Sequence, residues 1–341
     1  MDKVVTIGIP IYKRLEFIPN VLRTVAAQDY PHIDLLISDN GMNGNSVKRI
    51  VDQHYTRPYR FRQNSETVSG SSHYNQLIEN AAGEYVVILA DDDEISPNFV
   101  SGLMQVFEKH PAASVALARE EILDFHGKVH WQSRDTVPEI MRGEDFIRST
   151  WKTREYGYQS LCTFLAKTEK LKELGGFPEI WRASGDEDIL MIKLVLGSSI
   201  GFNTRCAFRK RFFEESGGLA ISLQDLARGM QEFLSTLDSD ETISRYAAAH
   251  PREWKELRSY VAGNAWGIYY SRWANMYKER LSIREWLAGA RALPLSKYGR
   301  SVTTTIAGAC VSASLEQFKR LSPQTYSFCK KVKLRLARLK A

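Results

Sequence analysis

The sequence predicts an α/β fold: a doubly wound, mostly parallel sheet flanked by helices, followed by an all-helical C-terminal region. Three observations carry this. Short apolar runs alternate with amphipathic segments from Val4 to Asp93, the rhythm of parallel strands joined by right-handed helical crossovers. The run from Glu84 to Ala90 is apolar without alternation and ends in Asp91-Asp92-Asp93-Glu94, which reads as a strand buried on both faces that stops at a sheet edge. Beyond about Ser222 the periodicity is helical throughout, which places a boundary near residue 220 and divides the chain into residues 1–220 and 221–341.

The first strand is expected over Val4–Ile9, with a loop at Pro10–Arg14. A helix over about Leu15–Gln28 carries Pro19 in its early turns, where a missing N–H does no harm. Ile33–Ser38 reads as a second buried strand ending in Asp39-Asn40-Gly41. A helix near Ser46–His54, a short strand at Tyr59–Arg62 and a helix over about Ser72–Ala82 lead to the strand before the aspartates. Then come a helix to about His110, a strand at Ser114–Asp124, and a strand at Lys128–Gln132 reached through a turn at His126-Gly127. A helix near Gly143, a strand over Gln159–Ala166 and a helix at Thr168–Leu174 follow, broken by Gly175-Gly176-Phe177-Pro178. Gly185-Asp186-Glu187-Asp188 opens an amphipathic helix to Leu196, and a strand at Ile200–Arg209 closes the α/β part.

At 341 residues and 43% hydrophobic content the chain can bury a sizeable core. Met1-Asp2-Lys3 runs straight into a strand, so no secretory signal is expected, and Val302–Leu315 is too short and polar to span a bilayer. Cys162, Cys206, Cys310 and Cys329 show no paired spacing, which argues against a zinc site and fits reduced thiols in the cytoplasm. The net charge of +6 is concentrated: no acid follows Glu316, while Lys319, Arg320, Lys330, Lys331, Lys333, Arg335, Arg338 and Lys340 do. Basic and apolar residues interleave from Tyr326 to Lys340, a pattern suited to an anionic membrane surface on the cytoplasmic side. The alternative is a basic terminal helix packed on its own domain, and nucleic acid is not an expected partner.

Four loops fall at carboxyl ends of expected parallel strands: Pro10–Arg14, Asp39–Asn43, Asn64–Ser72 and Asp91–Glu94. Such ends form one crevice in an open α/β sheet. Carboxylates crowded into one turn repel each other, and a divalent cation relieves that; hard oxygen ligands suit Mg²⁺ or Mn²⁺. The plainer alternative is a solvated acidic turn that caps the helix at Pro97. Asp39 is placed to accept bonds from a nucleobase or ribose, and the small polar loop Asn64–Ser72 would let a nucleotide approach. That loop lacks the glycine spacing of a phosphate-binding loop or dinucleotide fingerprint, so neither ATP hydrolysis nor hydride transfer is indicated.

Ile9-Pro10-Ile11-Tyr12-Lys13-Arg14, Ser38-Asp39-Asn40-Gly41, Ala82-Gly83-Glu84-Tyr85-Val86 and Asp91–Asp93 resemble the amino-terminal half of family-2 glycosyltransferases. Gly175-Gly176-Phe177 and Gly185-Asp186-Glu187-Asp188-Ile189-Leu190 resemble that family's acceptor-side segment. The resemblance covers roughly residues 3 to 215 and implies a GT-A fold, a nucleotide-sugar donor, a divalent metal, and transfer of a hexosyl or deoxyhexosyl group with inversion. By this resemblance, Pro10, Tyr12, Arg14, Asp39, Asn64, Ser72 and Asp91 line the donor site, and Asp91, Asp92 and Asp93 are the metal candidates. Asp188 aligns with the catalytic base, with Glu187 and Asp186 as neighbours in register; without the resemblance these acids read as a helix cap.

Relatives often carry a His after the acidic pair, but Phe208–Ser216 has none, which leaves Arg209 or Arg211 as a cation for the diphosphate. Glu66 also stands where relatives often have a glycine. Trp151, Tyr156, Tyr158 and Trp181 lie in the acceptor region, and Trp181 is the preferred sugar platform. The expected acceptor is a glycan or lipid-linked glycan in O-antigen-like or capsule-like polysaccharide synthesis, with the helical region as a candidate dimerisation surface. Two alternatives stand beside this. One is a sugar-phosphate nucleotidyltransferase, whose Gly-rich basic loop Ile9–Tyr12 does not resemble; the other is a scaffold that keeps the fold without catalysis.

Overall fold

The structure, a computed structural model, describes residues 3–133, 137–153, 164–183, 185–211 and 223–277. The chain forms two compact units, Met1–Pro251 and Arg252–Ala341.

The first unit is built on one ten-stranded sheet. Its first strands are β1 (Val5–Ile11), β2 (Ile33–Asp39), β3 (Arg60–Gln63), β4 (Tyr85–Ile88) and β5 (Glu94–Ile95). They are followed by β6 (Ala113–Leu123), β7 (Val129–Gln132), β8 (Ile140–Arg142), β9 (Phe164–Lys167) and β10 (Ser199–Arg211). The order across the sheet is β3-β2-β1-β4-β9-β6-β10-β5, with β7 on β6 and β8 on β10. β3, β2, β1 and β4 run parallel, as expected for buried apolar strands joined by helices. β1 is buried along its whole length, with Ile7 and Ile11 at 0% exposure.

The alternation of strand and helix identified β1 to β4, and the differences lie in the second half. β9 enters antiparallel between β4 and β6, and β5 pairs antiparallel with β10, so the sheet is mixed there. β5 and β8 are two and three residues long, too short to leave a periodicity in the sequence. β4 is also shorter than the apolar run that predicts it. The N–H of Leu89 still bonds to Gly8, but the chain turns at Ala90, whose carbonyl accepts from Asp93.

Helices α1 (Ile18–Ala26), α2 (Ser46–His54), α3 (Gly70–Glu79) and α4 (Phe99–Lys109) connect the first strands. Ser69 caps α3 by accepting from the N–H of Ser72 at 3.0 Å. α5 (Gly143–Ile147) continues into a π turn, and α6 (Thr168–Glu173), α7 (Asp186–Val195), α8 (Leu223–Ser239) and α9 (Glu241–Ala249) follow.

α8 and α9 follow the sheet-bearing part, and side-chain bonds tie the start and middle of α9 to it. The buried Lys193 of α7 forms an ion pair with the half-buried Asp240 at 3.0 Å and donates to the carbonyl of Leu174. Tyr246 of α9 donates to Glu144 at 2.9 Å, and Glu144 also accepts from Gly197. α10 (Pro251–Tyr277) starts at the last residue of the first unit and supplies the described residues of the second, where Tyr260 donates to Glu256 one turn earlier. No helix among the described residues is long and apolar enough to cross a membrane. The basic tail, Tyr156, Tyr158, the expected strand start at 159–163, and Cys162, Cys310 and Cys329 lie outside the described residues.

Candidate active site

Parallel pairing of β1, β2 and β4 brings their carboxyl ends to one edge, and most of the expected donor-side residues meet there. Pro10 lies inside β1, and Tyr12 just beyond it is exposed while its N–H reaches Asp91 Oδ2 at 3.3 Å. The Arg14 guanidinium spans two aspartates, with Nη1 on Asp92 Oδ2 at 2.5 Å and Nη2 on Asp91 Oδ1 at 3.2 Å. Asp91, Asp92 and Asp93 are all buried, because the turn after β4 packs under the β1 loop and against β10.

Burial and mutual repulsion govern their charge. Burial, and then the charge of Asp92, push Asp91 up to about 6, with Arg14 and the Tyr12 N–H opposing. Burial also raises Asp92, against the pull of Arg14. The short Arg14–Asp92 contact points the other way, but a guanidinium 39% exposed is screened by water and does not outweigh the loss of hydration. Asp93 is raised well above its ordinary value by burial and by Asp92.

The three aspartates are not equivalent. Asp93 turns inward, where its Oδ1 accepts from the N–H of Arg211 at 2.9 Å. Asp91 and Asp92 face the Arg14 side of the crevice. Among the described residues no three acidic, His or Cys side chains are arranged as a complete metal cage. Two hard carboxylates fit a cation of the Mg²⁺ or Mn²⁺ type only where substrate phosphates and water complete the shell, the usual arrangement for Mg²⁺.

Asp39 is fully buried, and both of its oxygens are occupied by the chain. Oδ1 accepts from the Gly41 N–H and the Asn43 amide, both at 2.8 Å. Oδ2 accepts from the Asn43 N–H at 3.2 Å and from Gln63 at 3.0 Å. A carboxylate has about four acceptor positions, so in this structure Asp39 is engaged in shaping the loop at the crevice edge. Asn64 is likewise engaged, donating to the side chain of Asn40 at 2.9 Å. Ser72 sits in the first turn of α3.

The acids of α7 approach from the acceptor side. Gly185, at φ +97°, turns the chain into the helix. Asp186 is buried, accepts from the Ser71 hydroxyl at 2.6 Å and from the Glu187 N–H at 2.9 Å, and is pushed up to about 7 by burial and the charge of Glu187. Glu187 and Asp188 are half-buried, so a substrate hydroxyl reaches them more readily than Asp186.

The cations expected at the diphosphate have other partners. Arg209 pairs with Glu121 at 2.9 Å. Arg211 is buried: its guanidinium pairs with Glu94 at 2.6 Å and donates to the carbonyls of Asp92, Asp124 and Phe125. Lys210, between them, acts on Asp92, Asp93 and Glu120. Glu120 and Lys210 are the residues that sequence reasoning missed. Glu120 is 4% exposed and is pushed up to about 7 by burial, with Glu187 adding to the rise and Lys210 opposing it. The signal was present as two consecutive acids, Glu120-Glu121, inside an apolar strand, one of which has to face inward.

Of the expected acceptor aromatics, Trp151 is core, buried edge-on against Phe146. Trp181 is half-buried; its indole N–H donates to Asp225 at 2.8 Å, and the Arg228 guanidinium lies 3.5 Å over its ring. It helps line a cavity of about 600 Å³ with Ser69, Ser71, Glu179, Arg182 and Glu232.

Residues 6–175 match the family model described as Glycosyl transferase family 2. Over 249 residues the chain is 23% identical to an uncharacterized glycosyltransferase of Rickettsia bellii, covering 72% of this chain and 35% of that protein. It is 22% identical over 207 residues to the O-antigen biosynthesis protein RfbC of Myxococcus xanthus, covering 59% of this chain and 15% of that one. The chain thus spans between a seventh and about a third of the length of these two relatives. Among solved structures it resembles S. aureus TarS 1-349 in complex with UDP-GlcNAc, with a TM-score of 0.58 and 16% identity over 92% of each chain. It also resembles the mannosyltransferase PcManGT from Pyrobaculum calidifontis in complex with GDP-Man and Mn²⁺, with a TM-score of 0.52 and 15% identity over 93% of this chain and 88% of that one. At such identities the likeness is one of fold.

Proposed function

Since the chain belongs to glycosyltransferase family 2, we propose that it transfers a sugar from a nucleotide-sugar donor to a glycan or lipid-linked glycan acceptor in polysaccharide synthesis, with inversion at the anomeric carbon. The observation that supports this most is how β10 and β6 connect the two acidic groups. The N–H of Arg211 in β10 bonds to Asp93 of the aspartate turn at 2.9 Å, β10 pairs with β6, and α7, which begins with Asp186, Glu187 and Asp188, packs against β6. This supports a leaving-group side and a base side on neighbouring elements.

In this reading the donor's diphosphate lies toward Asp91, Asp92 and Arg14. A divalent cation, when bound between these carboxylates and the phosphates, would neutralise charge that develops on the leaving group. Asp188 accepts the proton of the acceptor hydroxyl as that oxygen attacks the anomeric carbon from the face opposite the departing phosphate. Glu187 adds negative potential beside it. The carboxyl of Asp186 stays on Ser71 and holds the start of α7 in place. Trp181 and the cavity beside it are the proposed acceptor platform.

Calorimetric titration with UDP, GDP, CDP and dTDP, each with Mn²⁺ and again with EDTA, tests the donor side. One nucleotide should bind more tightly with Mn²⁺, and Asp92→Asn should reduce that gain; no binding of any nucleotide with metal present would sink the reading. Asp188→Asn should keep nucleotide binding and lose turnover by on the order of 10²–10⁴-fold, the usual contribution of a general base.

A further inference from the structure

β10 carries three consecutive cations, Arg209-Lys210-Arg211, beside the aspartate turn. Strand alternation sends the middle one to the opposite face from its neighbours. Arg209 is opposite Glu94 in the pairing with β5, and Arg211 pairs with that same Glu94, so these two share a face. Arg209 also pairs with Glu121, which Arg119 contacts at 2.6 Å. Lys210 lies on the other face, together with Phe208 and, across β6, with Glu120 and Ile122. α7 packs against β6, the strand that carries Glu120. The Arg211 N–H bond to Asp93 fixes the adjacent backbone against the aspartate turn, so the Lys210 stem starts at that turn.

We propose that Lys210, held between the aspartate turn and Glu120, is the protein's own cation for the donor's phosphate groups, so that diphosphate binding keeps a component that survives removal of divalent metal. The inference rests on the donor reading above. A lysine ammonium is a compact charge on a flexible stem, able to swing from carboxylates to a phosphate a few ångströms away. Glu120 is a positioning residue. Its buried carboxyl, when ionised, attracts the ammonium toward the crevice and opposes its retreat into solvent.

The test is calorimetric titration of inorganic pyrophosphate and of UDP, GDP, CDP and dTDP in EDTA, with the full chain and its Lys210→Met, Lys210→Arg, Glu120→Gln and Arg209→Met variants. In EDTA the wild-type chain should bind pyrophosphate and one nucleotide measurably. Lys210→Met should weaken both about tenfold, Lys210→Arg should restore binding to within about threefold, and Glu120→Gln should weaken it about threefold with the nucleotide preference unchanged. Wild-type binding that appears only with Mn²⁺, or Lys210→Met binding as tightly as wild type, would overturn this inference and leave the donor reading standing. A tenfold loss in Arg209→Met instead would also overturn it, returning the contact to the other face of β10. Absence of binding even with Mn²⁺ would remove the donor reading itself, and this inference with it. The arginine variant keeps the test decisive should the methionine variant fold poorly.

Discussion

Glu120 shows how far one residue's charge depends on where the strand puts it. Its carboxyl is pushed up to about 7 chiefly by burial, with Glu187 adding to the rise and Lys210 opposing it. The folded state therefore favours the protonated form. That advantage is fully present below the ordinary glutamate value of about 4.3 and is lost as pH rises through the folded value. Glu120→Gln, neutral at every pH, keeps it. The variant should be more stable than wild type at pH 8 by on the order of 2 kcal/mol and indistinguishable from it below about pH 4, as read from denaturation midpoints across pH. A difference of the same size at both pH values would show that packing, not charge, sets the effect. Residue types at the carboxylate turn and at the start of α7 were legible from the sequence, because acids concentrated at strand and helix ends are conspicuous. Which of them are already engaged was not. The sequence marks Asp39 as a donor-site candidate but gives no sign that Gly41, Asn43 and Gln63 bond its carboxylate. Hydrogen bonds between separate loops leave no periodicity to read.

At the scale of elements, the crevice depends on loops that touch backbone to backbone. A Cβ on Gly41 would lie 1.5 Å from the carbonyl of Tyr12, so the β1 and β2 loops approach each other only with glycine there. Gly41→Ala should lower stability by about 3 kcal/mol in urea denaturation and weaken nucleotide binding at the same time. Gly70, at the start of α3, has open space around it, and Gly70→Ala should raise stability by about 0.5–1 kcal/mol. Equal effects at the two positions would mean that the loops rearrange freely. Helices and central strands were readable because their apolar spacing repeats, as in α2, whose bounds coincide with the expected Ser46–His54. The strands β5 and β8 were not, because pairing with β10 alone defines them.

At the scale of the whole molecule, the sequence marks where helices take over but not which unit they join. Lys193 and Asp240 form the tie that joins α9 to α7, and Asp240 also caps α9 through the N–H groups of Thr242 and Ile243. Lys193→Met leaves that half-buried carboxylate without its cation and should cost about 2 kcal/mol, whereas Lys193→Met combined with Asp240→Asn, which keeps an oxygen for the cap, should cost less. Paired urea denaturation curves separate the outcomes, and a double variant worse than either single one would refute the account. Sheet order carries a further consequence, for synthesis. β4 sits between β1, made before it, and β9, made long after. Until Phe164–Lys167 has left the ribosome, β4 presents unpaired backbone groups along one side of an apolar strand, the kind of edge that recruits other chains. The nascent polypeptide is thus most in need of chaperone cover while the segment between Ile88 and Phe164 is being translated. The pairs Tyr85–Lys167 and Val86–Ala166 end that exposure.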